Sequence, residues 1–187
     1  MDVEKSIEKR RAYRSLDPVE ITEELVMDLS KVAQLAPSCF NNQPWRFVFV
    51  YDKGVLEKVF SALPDGNNWA KAASMVIVVF SKKEEDCVIG ERIYHQFDVG
   101  MATAFIILRA TELGLVAHPI AGYDPVKVSE VVGIPGDYQV ITLVIVGKHS
   151  EEISSVLSEK QAGDEVNRPK RKSLDEITFM NKFEKKE

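Results

Sequence analysis

The 187-residue chain has few of the residues from which metal centres and disulfide frameworks are built. It contains two cysteines and three histidines. Cys39 and Cys87 lie far apart in the sequence, form no CxxC motif and have no histidine nearby at ligand spacing. Neither a disulfide framework nor a zinc site is therefore expected. No Ser/His/Asp arrangement or pair of acid and base residues stands out, so an enzyme with this sequence would rely on a cofactor for its difficult chemistry.

Long apolar runs and excess positive charge are also missing. The first twenty residues are charged and lack the apolar core of a secretion signal. The most hydrophobic segment, residues 99–108, spans ten residues, which is too short to cross a bilayer and is typical of a buried helix. The formal net charge of −5 argues against a nucleic-acid partner. We therefore expect a cytoplasmic protein that binds neither membranes nor nucleic acids.

Apolar periodicity divides the chain into alternating helices and strands. A composition of 45% hydrophobic and 28% charged residues fits one globular domain over residues 1–187. Helical patterns cover residues 2–12, 23–35, 54–62 and 91–113, strand patterns cover residues 46–52, 75–80 and 139–147, and residues 16–21 read as a connector. The strand at 75–80 is almost wholly apolar, so both of its faces are expected to be buried. Residues 150–187 are too polar to fold alone, which predicts a hydrophobic partner on a second subunit.

Three arginines lie close together where the first predicted helix ends. Arg10 and Arg14 are i, i+4 neighbours on one helix face, and Arg11 lies three residues before Arg14. A solvated cluster that complements the helix dipole is the simpler interpretation. Phosphate binding is the alternative, because planar guanidinium groups match the geometry of phosphate oxygens. Residues 167–172 form a second basic segment, which also reads first as a solvated tail.

Two loops between predicted elements carry polar or conformationally special residues. Residues 37–44 offer hydroxyl, thiol and amide groups between two prolines. This loop is either a capped turn or a rigid hydrogen-bonding edge for a planar polar ligand. In residues 118–125, Gly122 permits close approach of the backbone to a ligand, although a plain turn before a helix is simpler. His118 is interpreted as a structural residue rather than a proton donor.

Six segments, taken in order, resemble the nitroreductase family of FMN-dependent oxidoreductases. They are RRAYR (10–14), APSCFNNQPWRF (36–47), DVGMATAFIILRATELGL (98–115), PIAGYDP with VSEVVGIP (119–135), TLVIVG (142–147) and RKSLDEI (171–177). The resemblance implies an α+β fold with a mixed, mainly antiparallel central sheet flanked by helices. It also implies an intertwined homodimer, in which residues 150–187 cross to the partner and two FMN sites lie at the subunit interface.

The resemblance further implies which residues surround the cofactor. By position in the matching motifs they are Arg10, Arg11, Ala12 and Arg14; Pro37, Ser38, Cys39 and Asn41; Asn67 or Asn68; Ile120, Ala121 and Gly122; and Lys170 and Arg171, with Lys172 as a further candidate. The arginines are expected to hold the phosphate and ribityl chain, and residues 37–41 to approach the isoalloxazine from the partner subunit. The Ala121 N–H is expected at the reactive nitrogen of the flavin, and Asn67 or Asn68 at its pyrimidine edge. No side chain is implied as catalytic, because the flavin carries the reaction.

The chain departs from the family pattern at three of these positions. Ala12 and Cys39 stand where serine is common, and Ala121 stands where glutamate or glycine is often found. These changes leave FMN binding expected and the acceptor open. The expected function is electron transfer from NADH or NADPH through FMN to a nitroaromatic, a quinone or a similar small acceptor by a ping-pong mechanism. The alternative is a flavin-binding carrier or sensor without significant turnover.

Overall fold

The computed structural model describes residues 2–184 and contains one five-stranded sheet and one two-stranded hairpin. The strands are β1 (Leu16–Asp17), β2 (Arg46–Val50), β3 (Met75–Ser81), β4 (Val88–Ile89), β5 (Arg92–Ile93), β6 (Leu115–Ile120) and β7 (Gln139–His149). Strand β7 is central: β3 and β6 pair with it, β2 pairs with β3, and β1 pairs with the last residues of β7. All of these pairings are antiparallel, which confirms the predicted α+β fold with a mainly antiparallel sheet.

Helices flank the sheet, and local sequence signals set where several of them begin and end. The α-helices are α1 (Val3–Lys9), α2 (Glu23–Gln34), α3 (Lys53–Phe60), α4 (His95–Glu112), α5 (Pro125–Val132), α6 (Glu159–Val166) and α7 (Leu174–Ile177), and 3₁₀-helices span Cys39–Asn41, Asp65–Ala72 and Lys83–Glu85. Helix α2 begins after Thr22, whose hydroxyl accepts a 3.2 Å hydrogen bond from the Leu25 N–H. Helix α4 ends before Gly114, which has a φ of +79° that glycine adopts readily.

The two faces of the sheet support two separate hydrophobic cores. Along β3, Val76 and Val78 face the core that includes residues of α3 and α5. Met75, Ile77 and Val79 face the other core, which includes residues of α2 and α4. All five side chains are fully buried. The prediction that both faces of this strand are covered is therefore confirmed, and the sheet gives a rigid base for the loops at its edges.

Three predictions about boundaries and packing were wrong. Residues 16 and 17 are a short strand rather than part of a connector, because they pair with the end of β7. The long helix begins at His95 instead of residue 91, because residues 88–93 turn back as a hairpin at Gly90, which has a φ of +62°. The expectation that residues 150–187 are too polar to fold on their own chain was wrong for α6. This helix packs on its own chain through the buried carboxylate of Glu165, which an apolar pattern could not reveal.

The end of the tail is exposed on this chain. Beyond α6, the side chains of Leu174, Ile177, Met180 and Phe183 are all exposed. Their crossing onto a second subunit stays a prediction. None of the helices within residues 2–184 combines the length and the hydropathy that crossing a bilayer requires.

Candidate functional site

A cleft of about 140 Å³ lies between the segment that follows α1 and the segment that follows α6. Its walls come from Arg10, Arg11, Ala12, Arg14, Asp164, Arg168, Pro169 and Arg171. The fold thus brings Arg171 from the tail beside the N-terminal arginines, as the resemblance implied, and it adds Arg168. Lys170 and Lys172, which were also candidates, are exposed and do not line the cleft.

Guanidinium-to-carbonyl hydrogen bonds hold the two sides of the cleft together. Arg168 donates to the carbonyl oxygens of Glu8 and Arg10, at 2.7 and 2.6 Å. In the other direction, Arg11 donates to the carbonyl oxygen of Asp164 at 2.6 Å. Because carbonyl groups carry no net charge, these bonds fix the guanidinium groups without neutralising them.

The positive charge of the cleft is poorly compensated within the described part of the chain. The Asp164 carboxylate is its one acidic lining group and lies 3.8 Å from Arg14 Nη1. Burial, together with the nearby positive charges of Arg168 and Arg171, lowers the pKa of Arg10. A bound anion would relieve this repulsion, and a phosphate group offers the bidentate geometry that arginine prefers.

A buried acid from α6 positions the backbone next to the cleft. The Glu165 carboxylate accepts hydrogen bonds from the N–H groups of Arg14 and Ser15, at 2.8 and 3.1 Å. The His149 Nε2 lies 3.9 Å from the same carboxylate. Sequence reasoning missed Glu165, because nothing in a polar helix marks which acid points inward. The nearest usable signal is the capping box of Ser158, which marks only where the helix begins.

Aromatic rings and two histidines lie close to the arginines. The Arg11 guanidinium lies 4.6 Å from the centre of the Tyr13 ring, which stacks on His149 at 3.6 Å. His118 stacks on Trp69 at 4.7 Å, and its Nδ1 lies 3.1 Å from the Tyr13 carbonyl oxygen. Burial lowers the pKa of His118 to about 4. The imidazole is therefore neutral near pH 7 and donates to Tyr13, which supports the structural role expected for it.

The backbone after β6 approaches the side chain of Asn67 closely at Gly122, and the expected approach to a ligand there stays a prediction. The Asn67 Nδ2 donates to the Gly122 carbonyl oxygen at 2.8 Å, and Trp69 Nε1 donates to Asn67 Oδ1 at 3.2 Å. A Cβ atom on Gly122 would lie 2.8 Å from Asn67 Nδ2. Both amide atoms of Asn67 thus hold this turn, and Asn68 is the half-buried candidate beside it. Ala121 is exposed, and its N–H donates no hydrogen bond within residues 2–184.

The polar loop that precedes β2 is held in an unusual backbone conformation. Phe40, Asn41 and Gln43 have φ values of 47°, 58° and 51°, in the left-handed region that non-glycine residues rarely adopt. The Cys39 N–H donates to Asp98 Oδ2 at 2.7 Å, and the Gln43 N–H donates to Ser38 Oγ at 3.0 Å. Left-handed residues cluster at sites where their strain, of about 1–3 kcal/mol each, is maintained by surrounding contacts.

A disulfide also fixes this loop, which overturns the expectation that the two cysteines do not pair. Cys39 and Cys87 are bonded, with Cα atoms 6.1 Å apart and a sequence separation of 48. Sequence spacing could not reveal the pair, because antiparallel β2 and β3 and the hairpin beyond them bring position 87 back to the loop. Near the disulfide, burial and the carboxylate of Asp86 raise the pKa of Asp98.

The predicted cofactor residues therefore fall into separate groups on one chain. Within residues 2–184, no hydrogen bond, ion pair or ring contact joins residues 37–41 to the arginine cleft. Residues 120–122 lie near the cleft through Asn67 and Trp69, since Arg14 Cζ is 5.9 Å from the Trp69 ring centre. The contribution of residues 37–41 from a partner subunit stays a prediction.

Comparison with known proteins identifies the family. The sequence pattern of the Nitroreductase family matches residues 7–148. The chain belongs to the nitroreductase family. One solved structure is named as an oxidoreductase containing FMN, and its sequence is 28% identical to this nitroreductase-family chain. The two superpose with a TM-score of 0.86, and the match covers 100% of this chain and 95% of that structure's chain.

Two curated relatives agree with this family membership. An Archaeoglobus fulgidus protein provisionally named NADH dehydrogenase/NAD(P)H nitroreductase is 29% identical, over 79% of this chain and 86% of that protein. An oxygen-insensitive NADPH nitroreductase of Helicobacter pylori is 24% identical, over 68% of this chain and 77% of that protein. The family match includes the N-terminal arginines and ends before the tail that supplies Arg168 and Arg171.

Proposed function

We propose that this nitroreductase-family oxidoreductase binds FMN and transfers electrons from NADH or NADPH to a small organic acceptor. The observation that carries the proposal is the cleft into which five arginines converge with one carboxylate. Support for the cofactor and the electron donor comes from the relatives, which are named for FMN, for NADPH and for NAD(P)H. The arginines explain cofactor affinity, and the flavin supplies the redox chemistry.

The cleft fits the phosphate group of FMN better than it fits a neutral ligand. Arg10, Arg11, Arg14 and Arg171 would bind the phosphate, and Arg168 would hold the N-terminal backbone through its carbonyl bonds. Burial and the nearby charges of Arg168 and Arg171 lower the pKa of Arg10, and a bound phosphate would offset the repulsion among these guanidinium groups. FMN, once bound, supplies a ring that accepts a hydride from a nicotinamide and passes electrons onward.

The isoalloxazine ring would lie against residues 120–122, beyond the phosphate cleft. The exposed N–H of Ala121 has no partner within residues 2–184 and would donate to the flavin, which stabilises negative charge on the reduced ring. Asn67 donates to the Gly122 carbonyl oxygen and so holds the turn against which the ring would lie. Residues 37–41 of a second subunit would complete the other side of the ring.

The acceptor is proposed to be a nitroaromatic, a quinone or a related planar molecule, which replaces the nicotinamide in a ping-pong cycle. Phe40 and Phe97 are 86% and 64% exposed, which is unusual for phenylalanine and provides apolar surface near the loop. Aromatic acceptors stack favourably on such rings.

The test compares wild-type protein with the Arg10→Gln, Arg14→Gln double variant. Each lost charge-assisted hydrogen bond contributes about 1.5–3 kcal/mol, so FMN affinity should fall by at least about tenfold, while the melting temperature stays nearly unchanged. The Arg92→Gln variant, on the exposed hairpin, is the matched control. Unchanged FMN affinity in the double variant would refute the assignment of the cleft.

A second measurement separates an enzyme from a carrier or sensor. FMN-loaded protein is mixed anaerobically with NADH or NADPH, and loss of the oxidised flavin absorption is followed before acceptors are added. Bleaching and reoxidation within seconds are expected. A protein that binds FMN tightly and does not bleach with either nicotinamide would be a flavin-binding carrier or sensor instead.

We also propose that the chain is a homodimer in which the exposed tail crosses to the partner. Truncation after Arg168 keeps α6 and its buried Glu165 but removes the exposed apolar side chains of the tail. The truncated chain should stay folded and sediment as a monomer, whereas the full chain sediments as a dimer. A truncated chain that remains dimeric in sedimentation equilibrium would contradict the crossing.

A further inference from the structure

A second cluster of polar side chains lies where residues 37–43 meet the segment before the β4–β5 hairpin. One ligand atom each from Cys39, Asp86 and Cys87 lies within 4.8 Å of the other two. Two sulfur atoms and one carboxylate oxygen form a donor set that is typical of zinc and of other thiophilic cations.

The oxygen atoms of this cluster lack positive partners. Asp86 Oδ2 is buried and accepts no hydrogen bond within residues 2–184. Neither Asp86 nor the buried Asp98, whose Oδ2 accepts the Cys39 N–H, forms an ion pair with a lysine or arginine of that range. Buried carboxylates in proteins are usually paired with a cation or coordinate a metal.

A buried nitrogen donor lies one helical turn from Asp98, the residue that accepts the Cys39 N–H. His95 is 5% exposed, and neither of its ring nitrogens forms a hydrogen bond within the described residues. It precedes Asp98 by three positions on α4, so the two side chains share a helix face, and the two groups interact electrostatically. Buried imidazole nitrogens without partners are rare, and metal coordination is one of the roles that such nitrogens serve.

We propose that Cys39, Asp86 and Cys87 form a redox-gated binding site for Zn²⁺ or another thiophilic divalent cation. In the oxidised chain the two sulfurs are bonded to each other and cannot ligate. A dithiol reductant breaks this bond: the cysteine sulfurs gain two electrons and two protons, and the dithiol becomes a disulfide. The cation then displaces the two thiol protons, Asp86 supplies a third ligand, and His95 or a water molecule fills the fourth position.

Asn42 positions the carboxylate in this site. Its Nδ2 donates to Asp86 Oδ1 at 3.2 Å and lies 3.5 Å from Cys87 Sγ, so it joins two of the ligands. The disulfide and the metal would each tether the left-handed loop to position 87. Only the metal-free dithiol would release the loop, so a reduced chain keeps its loop in place by binding a cation. None of these contacts involves the arginine cleft, although Cys39 also belongs to the loop proposed to complete the flavin site of a second subunit.

The full-length protein provides the test, with Co²⁺ as the spectroscopic probe. One sample is reduced with dithiothreitol, freed of reductant by gel filtration under argon and titrated with Co²⁺; a second sample is kept oxidised. The reduced chain should bind one Co²⁺ with a thiolate-to-cobalt charge-transfer band, and one equivalent of Zn²⁺ should abolish the band. The oxidised chain should show no band.

Two carboxamide variants separate a ligand from a nearby charge. Asp86→Asn should weaken Co²⁺ binding by about tenfold or more in the reduced chain, since even indirect contacts of metal sites contribute that much. Glu91→Gln removes an exposed charge from the neighbouring hairpin and should bind as the wild type does. His95→Gln distinguishes an imidazole ligand from water by the shape of the visible cobalt bands.

Four results would overturn the proposal, and the first three concern cobalt binding. They are a reduced chain that gives no charge-transfer band, equal cobalt binding by the oxidised and reduced chains, and an Asp86→Asn variant with unchanged affinity. A cysteine pair that dithiothreitol does not reduce, as counted by thiol titration, would also overturn it, because the site requires the dithiol form. FMN content is measured in parallel, so failure of the metal site is distinguishable from failure of the proposed flavin function.

Discussion

Replacing His118 with phenylalanine should make the folding stability of the chain less sensitive to acid. The imidazole is 7% exposed on β6, stacks on Trp69, and has Nδ1 within 3.1 Å of the Tyr13 carbonyl oxygen. Burial lowers its pKa to about 4; the Tyr13 carbonyl and Glu165 oppose this, and the positive charges of Arg14 and Arg10 add to it. Phenylalanine keeps a ring against Trp69 but cannot take up a proton.

The sign and size of the effect follow from the two protonation equilibria. In the unfolded chain the histidine has an ordinary pKa of about 6.5, so acid protonates the unfolded state first. The stability that the neutral imidazole contributes is therefore fully present above about pH 6.5 and is lost as the pH falls toward about 4. The loss approaches ~1.4 kcal/mol per pH unit in this window, which amounts to about 2 kcal/mol between pH 7 and pH 5.

Urea unfolding of the FMN-free protein at several values of pH between 7 and 5 measures this loss. The phenylalanine variant also loses the hydrogen bond to Tyr13, but this offset of about 1 kcal/mol does not change with pH. The difference in free energy of unfolding between wild type and variant should therefore change by about 2 kcal/mol across the range. Parallel pH curves for the two proteins, or an imidazole proton resonance that titrates near pH 6.5 in the folded wild type, would refute the reasoning.

Two further substitutions test the supports of the cleft. Glu165→Gln weakens the hydrogen bonds from the Arg14 and Ser15 N–H groups. It should therefore lower the free energy of unfolding by about 1–3 kcal/mol and reduce FMN affinity. The control, Glu130→Gln on the exposed face of α5, should stay within about 0.5 kcal/mol of wild type. Equal unfolding midpoints for the two variants would count against a positioning role. Gly122→Ala should displace the amide of Asn67 and lower the free energy of unfolding by about 1 kcal/mol. The same substitution should lower it clearly less when Asn67 is already alanine. An equal loss of stability in both backgrounds would contradict the contact.

Several predictions that depend on local pattern or on the order of motifs agreed with the structure, although the start of α4 and the strand β1 did not follow from local pattern. The apolar run at 75–80 became a strand covered on both faces, as expected because a run without polar alternation leaves no side suited to solvent. The N-terminal arginines and Arg171 line one cleft, as expected from their places in two distant motifs. Arg168 was not singled out, because its role comes from carbonyl groups 158 and 160 positions away, which no local pattern encodes.

The disulfide and the buried acid were not predicted, because both act through contacts between residues far apart in the sequence. Nothing in the letters around Cys39 indicates that Cys87 returns to it, since that depends on the length of β2 and β3 and the turn of the hairpin. Glu165 was likewise invisible, because a buried acid looks like a solvated one until its two N–H donors are known. In both cases the physical quantity that decides the outcome is a distance through space.

The construction of the arginine cleft explains why its charge remains available to a ligand. If carboxylates from the tail had paired with each arginine, the cleft would be neutral and an anion would have to displace them. Instead, neutral carbonyl groups hold Arg11 and Arg168, and the buried carboxylate of Glu165 bonds to backbone N–H groups rather than to guanidinium groups. The tail thus orders the arginines without cancelling them. It follows that α6 and a bound phosphate stabilise the same segment by independent contacts, so losing either one weakens the hold on the N-terminal arginines without removing their charge.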